Sequence, residues 1–388
     1  MEGERRVVQI IGDGMDGTWL TWRWNDPQIP VGVHRIDGLA EVLSDFHAAL
    51  PGGSTTDLSD QRLKGPFSDP EAELRLMTTL AGTLVPERLR DEILSASGQI
   101  EVRVMPSPPL ARVPWGLLSV GERGHRLVEV ADVSWIGPLL PRDIASEPVP
   151  EPDRDDRLGV YLLDPFVYGC GAVIPRSVIL EAWNAGGART VILKRYSDDE
   201  DSRDEARVLN QLREGLSRLF LLGHVQVPGQ PGETAFLIGE GRLSPADLLS
   251  SDVCAPPRVA IVACASGTDF EGPEPLGLAT AFLLYGADTV QATLWPIPTE
   301  AALAAEDRNA TGAFLELAKA FDRAQRDADP VHALCDYQRK RLKAWQEEPV
   351  LRNSPILWAA AMTITAPRRR NLATDGSQQA APLRAAQR

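Results

Sequence analysis

Lysine is scarce: it supplies 5 of the 40 basic residues, which face 54 Asp and Glu for a net charge of −14. That balance argues against nonspecific nucleic-acid binding, which needs a cationic surface to displace counterions. The preference for Arg over Lys is compatible with a GC-rich genome and carries no mechanism. Four cysteines, Cys170, Cys254, Cys264 and Cys335, are too few and too scattered for a disulfide framework or a CxxC zinc knuckle. His34, His47, His125 and His332 show no metal spacing. No run approaches the roughly 20 apolar residues of a membrane span, and the first six residues lack the apolar stretch of a signal peptide. A cytoplasmic location away from membranes is the expectation. What is present is an apolar fraction of 43% over 388 residues, which excludes a wholly disordered chain. It is enough for two ordinary domains, or for one large α/β domain with additions.

The first 70 residues read as a small β-rich element with a linker. Short strands are expected over 7–11, 18–24 and 31–36, a helix over 39–50 and a polar loop over 51–70. An amphipathic helix over 71–95 follows, opened by an acidic turn. Beyond it, apolar β-branched runs at 100–105, 133–136, 158–163, 190–193, 219–222, 259–263, 289–294 and 361–365 alternate with helical segments. Helices are expected over 173–185, 203–214, 276–285 and much of 300–347. Nearly continuous apolar strands are those covered by helices on both faces, so the fold class is α/β with a three-layer, mostly parallel sheet. A Pro/acid linker occupies 147–152, and 367–388 is expected to be a disordered tail.

Gly12, Gly14 and Gly17 spell a dinucleotide-like G-x-G-x-x-G, but that motif must be followed by a helix. Thr18 to Trp24 alternate like a strand instead, so the glycines mark a hairpin turn. The stripe Trp19, Trp22, Trp24 reads as core or an interdomain contact. The acidic run 198–205 suits a helix start rather than a metal site. Cys170, in the turn Gly169-Cys170-Gly171, is reactive only if exposed. A more informative pair lies further on. Arg218-Leu219-Phe220-Leu221-Leu222 ends in Gly223-His224, and Arg258-Val259-Ala260-Ile261-Val262 ends in Ala263-Cys264. In open parallel sheets the chemistry lies beyond the carboxyl ends of strands. An imidazole and a thiol at one rim meet the requirement of a cysteine hydrolase: a nucleophilic sulfur, a base, and backbone N–H groups for an oxyanion. Taken singly, a buried structural thiol and a capping histidine remain alternatives.

At these residues the sequence resembles the CHAT domain family of caspase- and separase-like cysteine peptidases. Leu110-Ala111-Arg112-Val113-Pro114-Trp115-Gly116-Leu117-Leu118 is similar to an early family segment, and His125 to Glu129 to the stretch after it. Gly223-His224 and Val262-Ala263-Cys264-Ala265-Ser266-Gly267 follow. Glu274 to Ala287 resembles the family's helix, Thr293-Leu294-Trp295-Pro296-Ile297-Pro298 its "S-L-W-P-V", and Ser354 to Ala360 its closing strand. The likeness covers roughly residues 70–366. Two departures stand out: Val225 replaces the usual Gly after the histidine, and Thr299 stands where an Asp is usual.

The resemblance implies a caspase-like domain over 71–366 and a bacterial-type cysteine endopeptidase without metal or cofactor. In it Cys264 is the nucleophile, His224 the base, and the N–H groups of Cys264 and Val225 the oxyanion donors. Its partners are a protein substrate and a separately encoded regulatory protein. Basic P1 specificity would place an acid near the nucleophile, and Asp269, Glu271, Glu274 and Glu300 are the candidates. Each is also readable as an ordinary loop carboxylate. A catalytically silent scaffold of the same fold is the alternative.

Overall fold

The computed structural model describes residues 5–13, 18–51, 63, 65–121, 124–137, 159–183, 190–194, 210, 212, 216–226, 234–239, 241–250, 254–264, 266–267, 271 and 277–366. The hairpin tip 14–17, the linker 147–152, the acidic run 198–205, most of the expected helix 203–214 and the tail 367–388 lie outside the described residues.

The strands in chain order are β1 Arg6–Asp13, β2 Trp19–Trp24, β3 Gly32–Arg35, β4 Ile100–Met105, β5 Asp132–Ile136, β6 Gly159–Leu163 and β7 Thr190–Lys194, then β8 Arg218–Leu222. They continue as β9 Val225–Gln226, β10 Ala235–Ile238, β11 Gly241–Leu243, β12 Arg258–Val262, β13 Thr289–Thr293 and β14 Ala361–Thr365. Among the described residues one sheet holds eleven of them, in the order β3-β2-β1-β4-β5-β14-β13-β12-β8-β6-β7, and β9 to β11 form a small second sheet. Every residue of β5 and β6 is buried, as the unbroken apolar runs require of strands covered on both faces. The helix Ala313–Arg326 packs on β8 and β12, Pro330–Glu347 on β5 and β14, and Leu278–Leu284 on β13. The architecture is a mixed, mostly parallel α/β sheet flanked by helices.

Antiparallel pairs occur at β1–β2, β2–β3 and β13–β14. The last matters for function, because strand direction reverses there. The carboxyl ends of β6, β8, β12 and β13 therefore share one edge with the start of β14, where Leu294 donates its N–H to the Ala360 carbonyl (2.8 Å).

The β-rich N-terminal element is the margin of this same sheet: β1 runs parallel to β4, with Arg6 opposite Ile100. Phe46, from the helix Leu39–Ala49, and Phe67 both pack against buried Trp295, with ring centroids 6.3 Å away in each case. Strand alternation divides the Trp stripe. Trp22 and Trp24 enter the core and both donate to Glu92 Oε2 at 2.8 Å, while Trp19 faces the other way and is exposed. The helix expected over 71–95 is two helices, Pro70–Leu84 and Glu87–Ser95. Pro86 lacks an N–H and pushes Val85 into an extended conformation, ending the first and starting the second. The expected 300–347 helical region is likewise Glu300–Glu306, Ala313–Arg326 and Pro330–Glu347.

Candidate active site

β8 and β12 are parallel neighbours, with Leu222 opposite Val262, and the Gly223 N–H reaches the Val262 carbonyl at 3.3 Å. His224 and Cys264 therefore leave the same sheet edge at equivalent register positions. A side chain at 223 would press on Phe236 (3.0 Å) and Pro165 (3.1 Å), so glycine allows the chain to fold back there. It folds into the small sheet, where Val225 pairs with Phe236 and Leu237 donates to the His224 carbonyl (2.9 Å). In that antiparallel pattern Val225 is a non-hydrogen-bonded position on edge strand β9. Its N–H points away from β10.

The His224 ring is 6% exposed and lies 2.8 Å through Nε2 from the Gly171 carbonyl. A carbonyl only accepts, so Nε2 carries the proton and, in the neutral ring, Nδ1 is the basic nitrogen. Among the described residues no partner occupies Nδ1. Cys264, half-buried, donates Sγ–H to the Ile297 carbonyl at 3.7 Å, and burial pushes its thiol pKa up. Among the described residues no hydrogen bond joins His224 to Cys264.

The turn after Cys264 is stitched to the end of β13. Ser266 Oγ donates to the Ile261 carbonyl (2.8 Å), Thr293 Oγ1 to the Ala263 carbonyl (2.5 Å), and the Gly267 N–H to the Thr293 carbonyl (2.9 Å). Sequence reasoning gave Ser266 and Thr293 no role of their own, though both stand within the quoted motifs.

Of the four candidate carboxylates the structure describes two, Glu271 and Glu300, and each is engaged in a contact within the protein. Asp269 and Glu274 lie outside the described residues. Glu271 forms a bidentate pair with Arg112 (2.6 and 2.8 Å). Glu300 is buried, and its carboxylate accepts the Gly312 N–H and, at 3.3 Å, the Leu315 N–H. It therefore caps the start of the helix Ala313–Arg326, and its oxygens are not presented to a substrate. Thr299 caps the helix Glu300–Glu306, its side chain accepting from Ala302, a task for which Asp and Thr are both suited. Of the other cysteines, Cys170 is half-buried beside Gly171, Cys254 is exposed, and burial pushes the Cys335 thiol up to about 12. Among the described residues no group of three His, Cys, Asp or Glu side chains is placed to hold a metal ion.

Residues 179–366 match the family model of the CHAT domain. No curated protein matches the chain significantly. The separase of Saccharomyces cerevisiae, solved in complex with securin, is similar in structure at 11% identity and a TM-score of 0.55. That alignment covers 94% of this chain and 30% of the separase chain. The Arg-specific cysteine proteinase gingipain R aligns at 11% identity over 94% of this chain and 77% of its own, with a TM-score of 0.43. The complex of Porphyromonas gingivalis RgpB pro- and mature domains aligns at 10% identity over 84% and 74%, with a TM-score of 0.40. Over residues 179–366 the chain is therefore similar to the CHAT domain family, on an α/β fold like that of the separase.

Proposed function

We propose that this chain is a cysteine endopeptidase acting through Cys264 and His224. The observation that carries the reading is that the two residues leave adjacent parallel strands at one edge, with Gly171 holding His224 by Nε2 and, among the described residues, no partner on Nδ1. In this mechanism the Cys264 thiol passes its proton to Nδ1 and its sulfur adds to a peptide carbonyl. The N–H groups of Cys264 and Val225 receive the oxyanion. Collapse of the intermediate expels the amine, which takes the proton back from His224. Water activated by the same ring then hydrolyses the thioester.

A second reading, a silent scaffold, is favoured by one observation: the resting thiol is bonded to Ile297, not to His224, and its pKa is raised. In the enzyme reading that same contact describes a resting state, and a protein partner that separates Cys264 from Ile297 would switch activity on. A peptidyl thiol reagent decides between them. Labelling confined to Cys264 and lost in His224→Ala supports the enzyme. Labelling of exposed Cys254 and of Cys170, with Cys264 untouched even when candidate partners are present, supports the scaffold.

A further inference from the structure

The loop that carries Gly171 leaves β6 at Asp164, which combines three unusual properties. Its φ of +47° makes it the one non-glycine residue with positive φ among the described residues. Its side chain is 4% exposed. Its N–H donates to the Leu222 carbonyl at 2.6 Å, extending the β6–β8 pairing by one residue toward His224. Left-handed backbone in a non-glycine residue persists where surrounding contacts over-determine it, and such positions gather at functional sites.

The contact that fixes Asp164 spans the loop. Asp164 Oδ2 accepts the Val173 N–H at 3.1 Å, and the Val173 carbonyl in turn accepts the Glu300 N–H at 3.0 Å. Between these ends Cys170 turns back on Val167 (3.1 Å) and Gly169 takes a φ of +79°. Phe166 and Tyr168 point outward, Tyr168 at 89% exposure, so those two aromatic side chains anchor little of the loop in the core. It is held by the bridge from Val167 to Gly239, by the burial of Val173 and Ile174, and by the closure from Asp164 to Val173. Gly171, two residues before Val173, then presents its carbonyl to His224 Nε2.

We infer that Asp164 is a positioning residue for His224. Its carboxylate closes the loop through Val173, which sets the Gly171 carbonyl against Nε2 and fixes the tautomer that leaves Nδ1 as the base. This assignment rests on the peptidase reading only for its effect on turnover, because the tautomer is measurable without any substrate.

The experiment uses the full chain labelled with ¹⁵N-histidine, comparing wild type with Asp164→Ala, Asp164→Gly and Asp164→Asn. In wild type at a pH where the ring is neutral, the His224 nitrogens should report a proton on Nε2 and none on Nδ1. Ala and Gly should give a mixture of tautomers. If peptide cleavage has been established, both should also lose about tenfold or more in kcat with KM little changed, the size expected when a histidine loses its orienting partner. Asn should restore both properties, since its amide oxygen accepts the same N–H and its backbone tolerates positive φ. The Gly variant takes that φ freely and carries the readout if Ala fails to fold. A wild-type tautomer in folded Ala or Gly, or an Asn variant as impaired as Ala, would overturn the assignment. Full cleavage by Cys264→Ala would instead reject the peptidase reading and leave the tautomer result standing.

Discussion

Glu300→Gln separates a pocket carboxylate from a structural one. The side chain is 4% exposed and its two oxygens face the Gly312 and Leu315 N–H groups at the start of the helix Ala313–Arg326. A bond to a charged acceptor contributes about 1.5–3 kcal/mol and a neutral one about 0.5–1.5, so the bond that Gln retains weakens by about 1 kcal/mol. Its amide NH₂ opposes the other N–H, and a buried donor without an acceptor costs about 1–3 kcal/mol. Removing a negative charge from a helix N-terminus adds between a few tenths and about 1 kcal/mol. The variant should lose about 2–5 kcal/mol, read as a lower urea midpoint at unchanged m-value. Its preference among peptides varied only at P1 should match wild type. A stability change below about 0.5 kcal/mol, the range of an ordinary surface substitution, together with lost cleavage after Arg, would refute the capping role.

Cys264→Ala removes the nucleophile from a half-buried site and should cost less than about 1 kcal/mol while eliminating cleavage of a partner protein; full residual activity would move the chemistry elsewhere. A methyl at Gly267 would stand 2.5 Å from Met362 Sδ and 3.1 Å from the Thr293 carbonyl, so Gly267→Ala should destabilise by about 1–3 kcal/mol and slow thiol labelling of Cys264. An unchanged melting curve and labelling rate would contradict this. Burial outweighs the 2.7 Å pair with Arg126 and pushes the Glu73 carboxyl up from 4.5 to about 7. The folded chain holds this proton more tightly than the unfolded one, so the contribution is fully present below about pH 4.5 and is lost as the pH rises toward 7. The loss amounts to about 3 kcal/mol at most. Glu73→Gln should flatten that part of the stability–pH curve, and equal slopes in the two proteins would refute it.

The strands of the central sheet were legible because burial on both faces leaves apolar runs such as Val160 to Leu163 and Leu219 to Leu222, bounded to within a residue or two. The break at Pro86 was also in plain view, and the amphipathic period of residues 71–95 concealed it. What composition could not reveal was pairing between distant segments. Nothing local in Val7 to Ile11 says that β1 will run parallel to β4, since its alternation suits any half-buried strand. The small sheet was missed for a related reason: β9 is two residues long and becomes a strand only because β10 pairs with it.

The candidate site divides along a similar line. His224 and Cys264 were found because each is a chemically distinctive letter at the end of an apolar run. The groups that orient the histidine and face its surroundings are backbone atoms, the Gly171 carbonyl and the Val225 N–H, and a backbone atom has no letter of its own. Val225 illustrates the consequence. Read against the family pattern, it is a departure at the position after the histidine. Read in the fold, it belongs to an extended edge strand, where a β-branched residue is at ease, and its 7% exposure shows the side chain tucked into the protein. The pairing of Val225 with Phe236 turns the N–H outward from the hairpin. The side chain thus fills space while the direction of the Val225 N–H is set by the strand pairing, which valine supports better than glycine does.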